Sequence, residues 1–142
     1  MQGAANVPAV AHVIQQAVAP VFLLTGVGAI LSVLINRLAR VVDRYRKLSD
    51  SGEDEQGTHK LEMDTLSRRA RLIHWAISCC TVCALFVCLV IATLFIASET
   101  GFDPSGAISM LFVAAMLALI SGLLCFLREI ALATGNIEVS EK

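Results

Sequence analysis

From Thr25 to Leu48 the chain reads TGVGAILSVLINRLARVVDRYRKL, and two kinds of residue alternate along it at helical spacing. At about 100° per residue, Thr25, Gly28, Ala29, Ser32, Asn36, Arg40, Asp43 and Lys47 fall on one side of a helix. Leu23, Val27, Ile30, Leu34, Leu38, Val41, Tyr45 and Leu48 fall on the other. No helix-breaking residue interrupts the run. The pattern predicts one helix that begins apolar and ends charged, with a small and polar stripe running from mid-membrane into water. Such a stripe is built to face something other than lipid: water, an ion or another helix.

The same reading extends to the rest of the chain. Residues 18 to 35 come close to the roughly 20 apolar residues that a crossing requires. Upstream, Val10, Val13, Ile14, Ala17 and Val18 have helical spacing, which predicts a short interfacial helix or a frayed lead-in, with Pro20 in the first turn of the span. The stretch from Ser49 to His59 (SDSGEDEQGTH) breaks the pattern with glycines, hydroxyl residues and acids, as a hairpin loop does. Periodicity returns near Lys60, with Leu61, Leu66, Leu72 and Ile73 on the apolar side, and runs without Pro or Gly into a second span over 73 to 97. Residues 37 to 72 therefore read as a helical hairpin outside the bilayer, each arm about 12 residues or about 18 Å long. In the second span Ala76, Cys80, Ala84, Cys88 and Ala92 recur every four residues, a small-residue ridge that lets a neighbouring backbone approach. A short outer turn (SETGFDPSG) holds Glu99 and Asp103, and a third span over 107 to 127 carries small residues at Ala114, Ala118 and Gly122. The expected fold is an all-α integral membrane protein: one domain over residues 1–142, three crossings, and the first two helices extended into the charged hairpin.

Composition supports that class. Of 142 residues, 56% are hydrophobic and 16% charged, with mean hydropathy +0.73; soluble domains are about 45–50% apolar and about 25% charged. The formal net charge of −1 gives no reason to expect nucleic acid. It conceals an asymmetry, because nine of the eleven Lys and Arg residues lie between Arg37 and Arg71 and the others are Arg128 and Lys142. The positive-inside rule then places the hairpin and the C-terminus in the cytoplasm and the N-terminus outside. No basic residue precedes Arg37, so no secretory signal is expected. Cys79, Cys80, Cys83, Cys88 and Cys125 all sit in apolar runs, where packing suits them better than a disulfide framework or a thiolate zinc site. Neither a metal nor a cofactor is expected. Catalysis is not expected either: the chain has no GxSxG, HExxH or phosphate-binding glycine loop, and His12, His59 and His74 are scattered.

Three spans are too few to surround a water path, so conduction calls for a homo-oligomer. In a ring of first helices, Thr25, Gly28, Ala29, Ser32, Asn36, Arg40 and Asp43 would line a pore for small ions. Glu99 and Asp103 would make its outer mouth acidic and attractive to cations, while Arg37 and Arg40 would oppose cations at the inner end unless Asp43 offsets them. A cation pore is the leading expectation. The alternative is a non-conducting scaffold or adaptor, in which Gly28, Ser32 and Asn36 pack against the second and third helices and the hairpin docks a partner. Arg68, Arg69 and Arg71 are candidate contacts for anionic lipid headgroups in either case.

The segments APVFLLTGVGAILSVLINRLARVVDRYRKL, LSRRARLIHWAI and LREI together resemble a bacterial family of small three-helix inner-membrane proteins catalogued as a domain of unknown function, family 2721. The resemblance covers about Ala19 to Leu132. It rests most on Pro20, Asn36, Arg37, Leu38, Arg40, Asp43, Arg44, Arg69, Arg71, Arg128 and Glu129. It implies a bacterial inner membrane and three spans, and it implies no activity, substrate or cofactor.

Overall fold

A computed structural model describes residues 7–50, 58–101 and 103–139, leaving aside the side chains of 58, 59 and 136–139. Three helices account for nearly all of them: α1 (Val7–Asp50), α2 (Thr58–Thr100) and α3 (Ser105–Val139). At 1.5 Å per residue they are about 66, 65 and 53 Å long, against a hydrocarbon core of about 30 Å. All three are apolar enough to cross a membrane, with mean hydropathy of 2.4, 2.8 and 2.6 in their most apolar windows. Only 17%, 22% and 11% of those windows is buried within the chain. Most of the apolar surface is therefore left for lipid or for further helices. The fold is all-α, and no strand occurs among the described residues.

α1 begins further upstream than the interfacial lead-in predicted. It runs unbroken from Val7, and Pro20 lies buried inside it rather than in a first turn. The proline ring removes the bond to the carbonyl of Gln16, a loss that long apolar helices tolerate when neighbouring helices pack against them. The predicted loop is shorter at both ends, because Ser49 and Asp50 close α1 and Thr58 opens α2; its residues 51–57 lie outside the described residues.

α2 is the central element. It packs along α1 on one side and along α3 on the other, while α1 and α3 hardly meet. The seam follows a seven-residue repeat. In α1 the buried positions include Val13, Pro20, Val27, Leu34 and Val41. In α2 they are Leu66, Ile73, Cys80 and Val87, with Ala76, Cys83 and Val90 between them. In α3 they are Ala115, Gly122 and Glu129. A repeat of 3.5 residues keeps apolar positions in register along a left-handed pair of helices crossing at about 20°.

The four-residue ridge therefore needs correcting. Ala76 and Cys80 are sealed in the seam, but Ala84 is half-buried and Cys88 and Ala92 are exposed. Steps of four residues advance about 40° per step at 100° per residue, so the ridge winds off the packed face within a few turns. α3 comes close to α2 at Gly122, where an added Cβ would meet Cys80 Sγ at 3.1 Å and the Ala76 carbonyl oxygen at 3.2 Å. Of the other small residues on α3, Ala114 and Ala118 are half-buried beside this contact.

Candidate functional site: an arginine–glutamate clasp and an open polar stripe

The arginine-rich end of the bundle is closed by a charge cluster drawn from all three helices. Glu129, at a core position of the α3 repeat, is fully buried. Its Oε2 accepts a hydrogen bond from Arg37 Nη1 of α1 at 2.8 Å. Its Oε1 accepts from Arg69 of α2, from Nη2 at 2.8 Å and Nε at 3.2 Å. The Arg37 guanidinium also lies 5.1 Å above the Phe126 ring, within cation–π range. Both carboxylate oxygens are thus satisfied by charge-assisted bonds. The cluster joins α1 to α3, which otherwise hardly touch.

Spacing explains why these side chains converge. Arg37 follows Leu34 by three residues and precedes Val41 by four, so it flanks the α1 seam rather than the polar stripe. Arg69 stands in the same relation to Leu66 and Ile73 on α2. Consequently Arg37, expected to oppose cations beside Arg40, is turned away and paired. Arg69 is likewise committed to Glu129, whereas Arg68 and Arg71 remain exposed; the expected headgroup trio does not share one surface. Further along the hairpin, Arg44 donates from Nε and Nη2 to Glu62 Oε1 at 3.0 and 2.6 Å, tying α1 to α2.

The stripe on α1 lies on the opposite face from the seam. Thr25, Gly28, Ala29, Ser32, Asn36, Arg40 and Asp43 are all exposed. No atom outside the helix's own backbone comes within 4 Å of a Cβ built at Gly26 or Gly28. The Thr25 hydroxyl donates to the Val21 carbonyl of its own helix at 3.2 Å. Ser32, Asn36, Arg40 and Asp43 have no partner among the described residues. The packing of Gly28, Ser32 and Asn36 against the second and third helices, expected for the adaptor, is absent: α2 takes the apolar face of α1 instead.

At the other end Gly101 ends α2 in a left-handed conformation (φ 66°), its N–H donating to the Ala97 carbonyl at 3.1 Å. Asp103 Oδ1 accepts from the Ser105 N–H at 3.1 Å and so caps α3. Asp103 also opens onto a cleft of about 520 Å³ shared with Gln16 of α1 and Ser98 of α2. Glu99 is exposed nearby on the last turn of α2.

Among known proteins, a family model described as "Protein of unknown function (DUF2721)" matches residues 17–139. No curated protein and no solved structure matches the chain.

Proposed function

The chain belongs to the DUF2721 family, and from that premise we propose that it is a homo-oligomeric membrane protein whose first helices gather around an ion path. The observation that carries this reading is the exposed stripe on α1. A fully apolar outer face would suit lipid, yet this one presents Ser32 within the span and Asn36 at its arginine-rich end, with no side-chain partner among the described residues. An unpaired hydroxyl in hydrocarbon costs about 2–7 kcal/mol, so at Ser32 the face calls for water or a second protein surface. Gly28 and Ala29 leave room for close approach between copies.

The clasp supports a preference for cations. With Arg37 bound to Glu129, the stripe carries Arg40 and Lys47 against Asp43, one arginine fewer at its inner end than the sequence alone suggests. Glu99 and Asp103 add negative charge at the far end. By the positive-inside rule the arginine-rich end faces the cytoplasm, and the membrane is the inner membrane of a bacterium.

The test is ion flux into liposomes holding the purified protein. Asn36→Asp adds one negative charge per subunit and raises cation flux; Asn36→Leu dewets the same ring and lowers it. Leu124→Ala, on the exposed outer face of α3, leaves flux unchanged. Wild-type flux no greater than that of empty liposomes excludes the proposal.

A second reading, a non-conducting scaffold, is favoured by the Arg44–Glu62 tie. It stiffens the hairpin into an arm suited to docking. In that case none of the Asn36 variants alters flux.

A further inference from the structure

We propose that Arg68, Arg71 and Arg128, together with Trp75, hold the phosphate of an anionic phospholipid in a cleft between α2 and α3. The site is separate from the α1 stripe and stands whether or not the protein conducts.

The cleft measures about 590 Å³. Arg68, Arg71, Leu72 and Trp75 follow one another at spacings of three, one and three residues, so they share one face of α2. Arg128 and Leu132, four apart, form the opposite wall on α3. Three arginines thus line one cleft, with no acidic side chain lining it among the described residues. None of them has an ion pair or hydrogen bond among the described residues. The acid beside Arg128 is Glu129, and both of its oxygens are taken by Arg37 and Arg69 on the inner side. The clasp therefore closes the bundle and also withholds the Glu129 carboxylate from the cleft.

The chemistry of the walls selects the ligand. Guanidinium forks match the oxygens of a phosphate in bidentate fashion. A phosphate from water needs nothing more. This cleft adds apolar surface from Leu72 and Leu132 and an exposed indole at Trp75. Tryptophan favours the level of the headgroups, and the arginines stand just beyond the apolar span. A cationic rim over an apolar wall fits an amphiphile with its phosphate up and its acyl chains down, and basic pockets between membrane helices bind such headgroups.

Trp75 is the single tryptophan of the chain, which makes it the reporter. The protein is placed in phosphatidylcholine vesicles containing a minor fraction of phosphatidylglycerol, with bromine quenchers on the acyl chains of one lipid or the other. The proposal predicts that brominated phosphatidylglycerol quenches Trp75 as though enriched at least about fivefold over its share of the bilayer. Arg68→Gln, Arg71→Gln and Arg128→Gln each lower that preference, by up to about fivefold. Arg40→Gln and Arg46→Gln remove the same charge from the same end of the molecule and leave it intact. Quenching by brominated phosphatidylglycerol no greater than its share of the bilayer in the wild-type protein overturns the proposal without reference to any variant. An equal loss in the Arg40 and Arg46 variants overturns it in favour of diffuse surface charge. Relief of the quenching by soluble inorganic phosphate overturns the lipid and makes the cleft a site for free phosphate.

Discussion

Removing the acid from the clasp and removing its two arginines should have unequal effects, because burial is unequal. Glu129 is fully buried, whereas the side chains of Arg37 and Arg69 are 40% and 23% exposed. In Glu129→Gln both guanidinium groups lose a charged acceptor but tilt their heads into water and regain hydration. One charge-assisted bond is worth about 1.5–3 kcal/mol. The bonds here share one carboxylate and do not add, and the contribution of Arg37 is reduced by solvent screening. We therefore expect Glu129→Gln to cost about 2 kcal/mol. Arg37→Met with Arg69→Met leaves a sealed carboxylate with no donor, and stripping the partners from a buried charge costs about 3–5 kcal/mol. Adding Glu129→Gln to that pair removes the charge and should recover part of the loss. Cys80 and Cys83, both fully buried, supply the assay: alkylation of protein keeping only these two cysteines, in detergent, reports opening of the seam. A loss of about 2 kcal/mol accelerates labelling by about 30-fold when opening is at equilibrium, and the arginine pair should exceed about 100-fold. Labelling of Glu129→Gln at the wild-type rate, or a double arginine variant milder than Glu129→Gln, would refute the reasoning.

Gly122→Leu drives a branched side chain into Cys80 and the Ala76 backbone; we expect a loss of about 3 kcal/mol, read as faster alkylation of Cys80. Gly28→Leu meets nothing within the chain, so labelling should stay at the wild-type rate while light scattering shows a smaller oligomer; an unchanged particle mass would place the contact between copies elsewhere. With native cysteines removed, a membrane-impermeant maleimide added outside cells should label Glu99→Cys and spare Asp50→Cys, and the reverse result would invert the topology.

The sequence carried the coarse architecture plainly because hydropathy and helical period are local properties. The alternation between Thr25 and Leu48 sorted the residues of α1 correctly into an apolar face and an opposite face. It did not reveal which neighbour each face would meet. Pro20 looked like a beginning because proline suits a first turn, and only packing against the rest of the bundle explains its place in mid-helix. The ridge from Ala76 to Ala92 misled because a four-residue repeat looks continuous in sequence yet turns away in space, whereas the 3.5-residue repeat does not. The clasp was not legible from any one segment: Arg37 and Arg69 lie 92 and 60 residues from Glu129. One signal did exist. Ala115, Gly122 and Glu129 are seven residues apart, which put a carboxylate on the packed face of α3 and required cations opposite.

The central claim is that the α1 stripe lines a water path between copies, and modification of Ser32→Cys during flux tests it most directly. In protein otherwise free of cysteine, a positively charged methanethiosulfonate reagent should reach the Ser32→Cys thiol from water and cut cation flux. The same reagent should have no effect at Leu124→Cys, which is exposed on the outer face of α3. Flux that persists unchanged after full modification of Ser32→Cys, or equal block at both positions, would contradict the account.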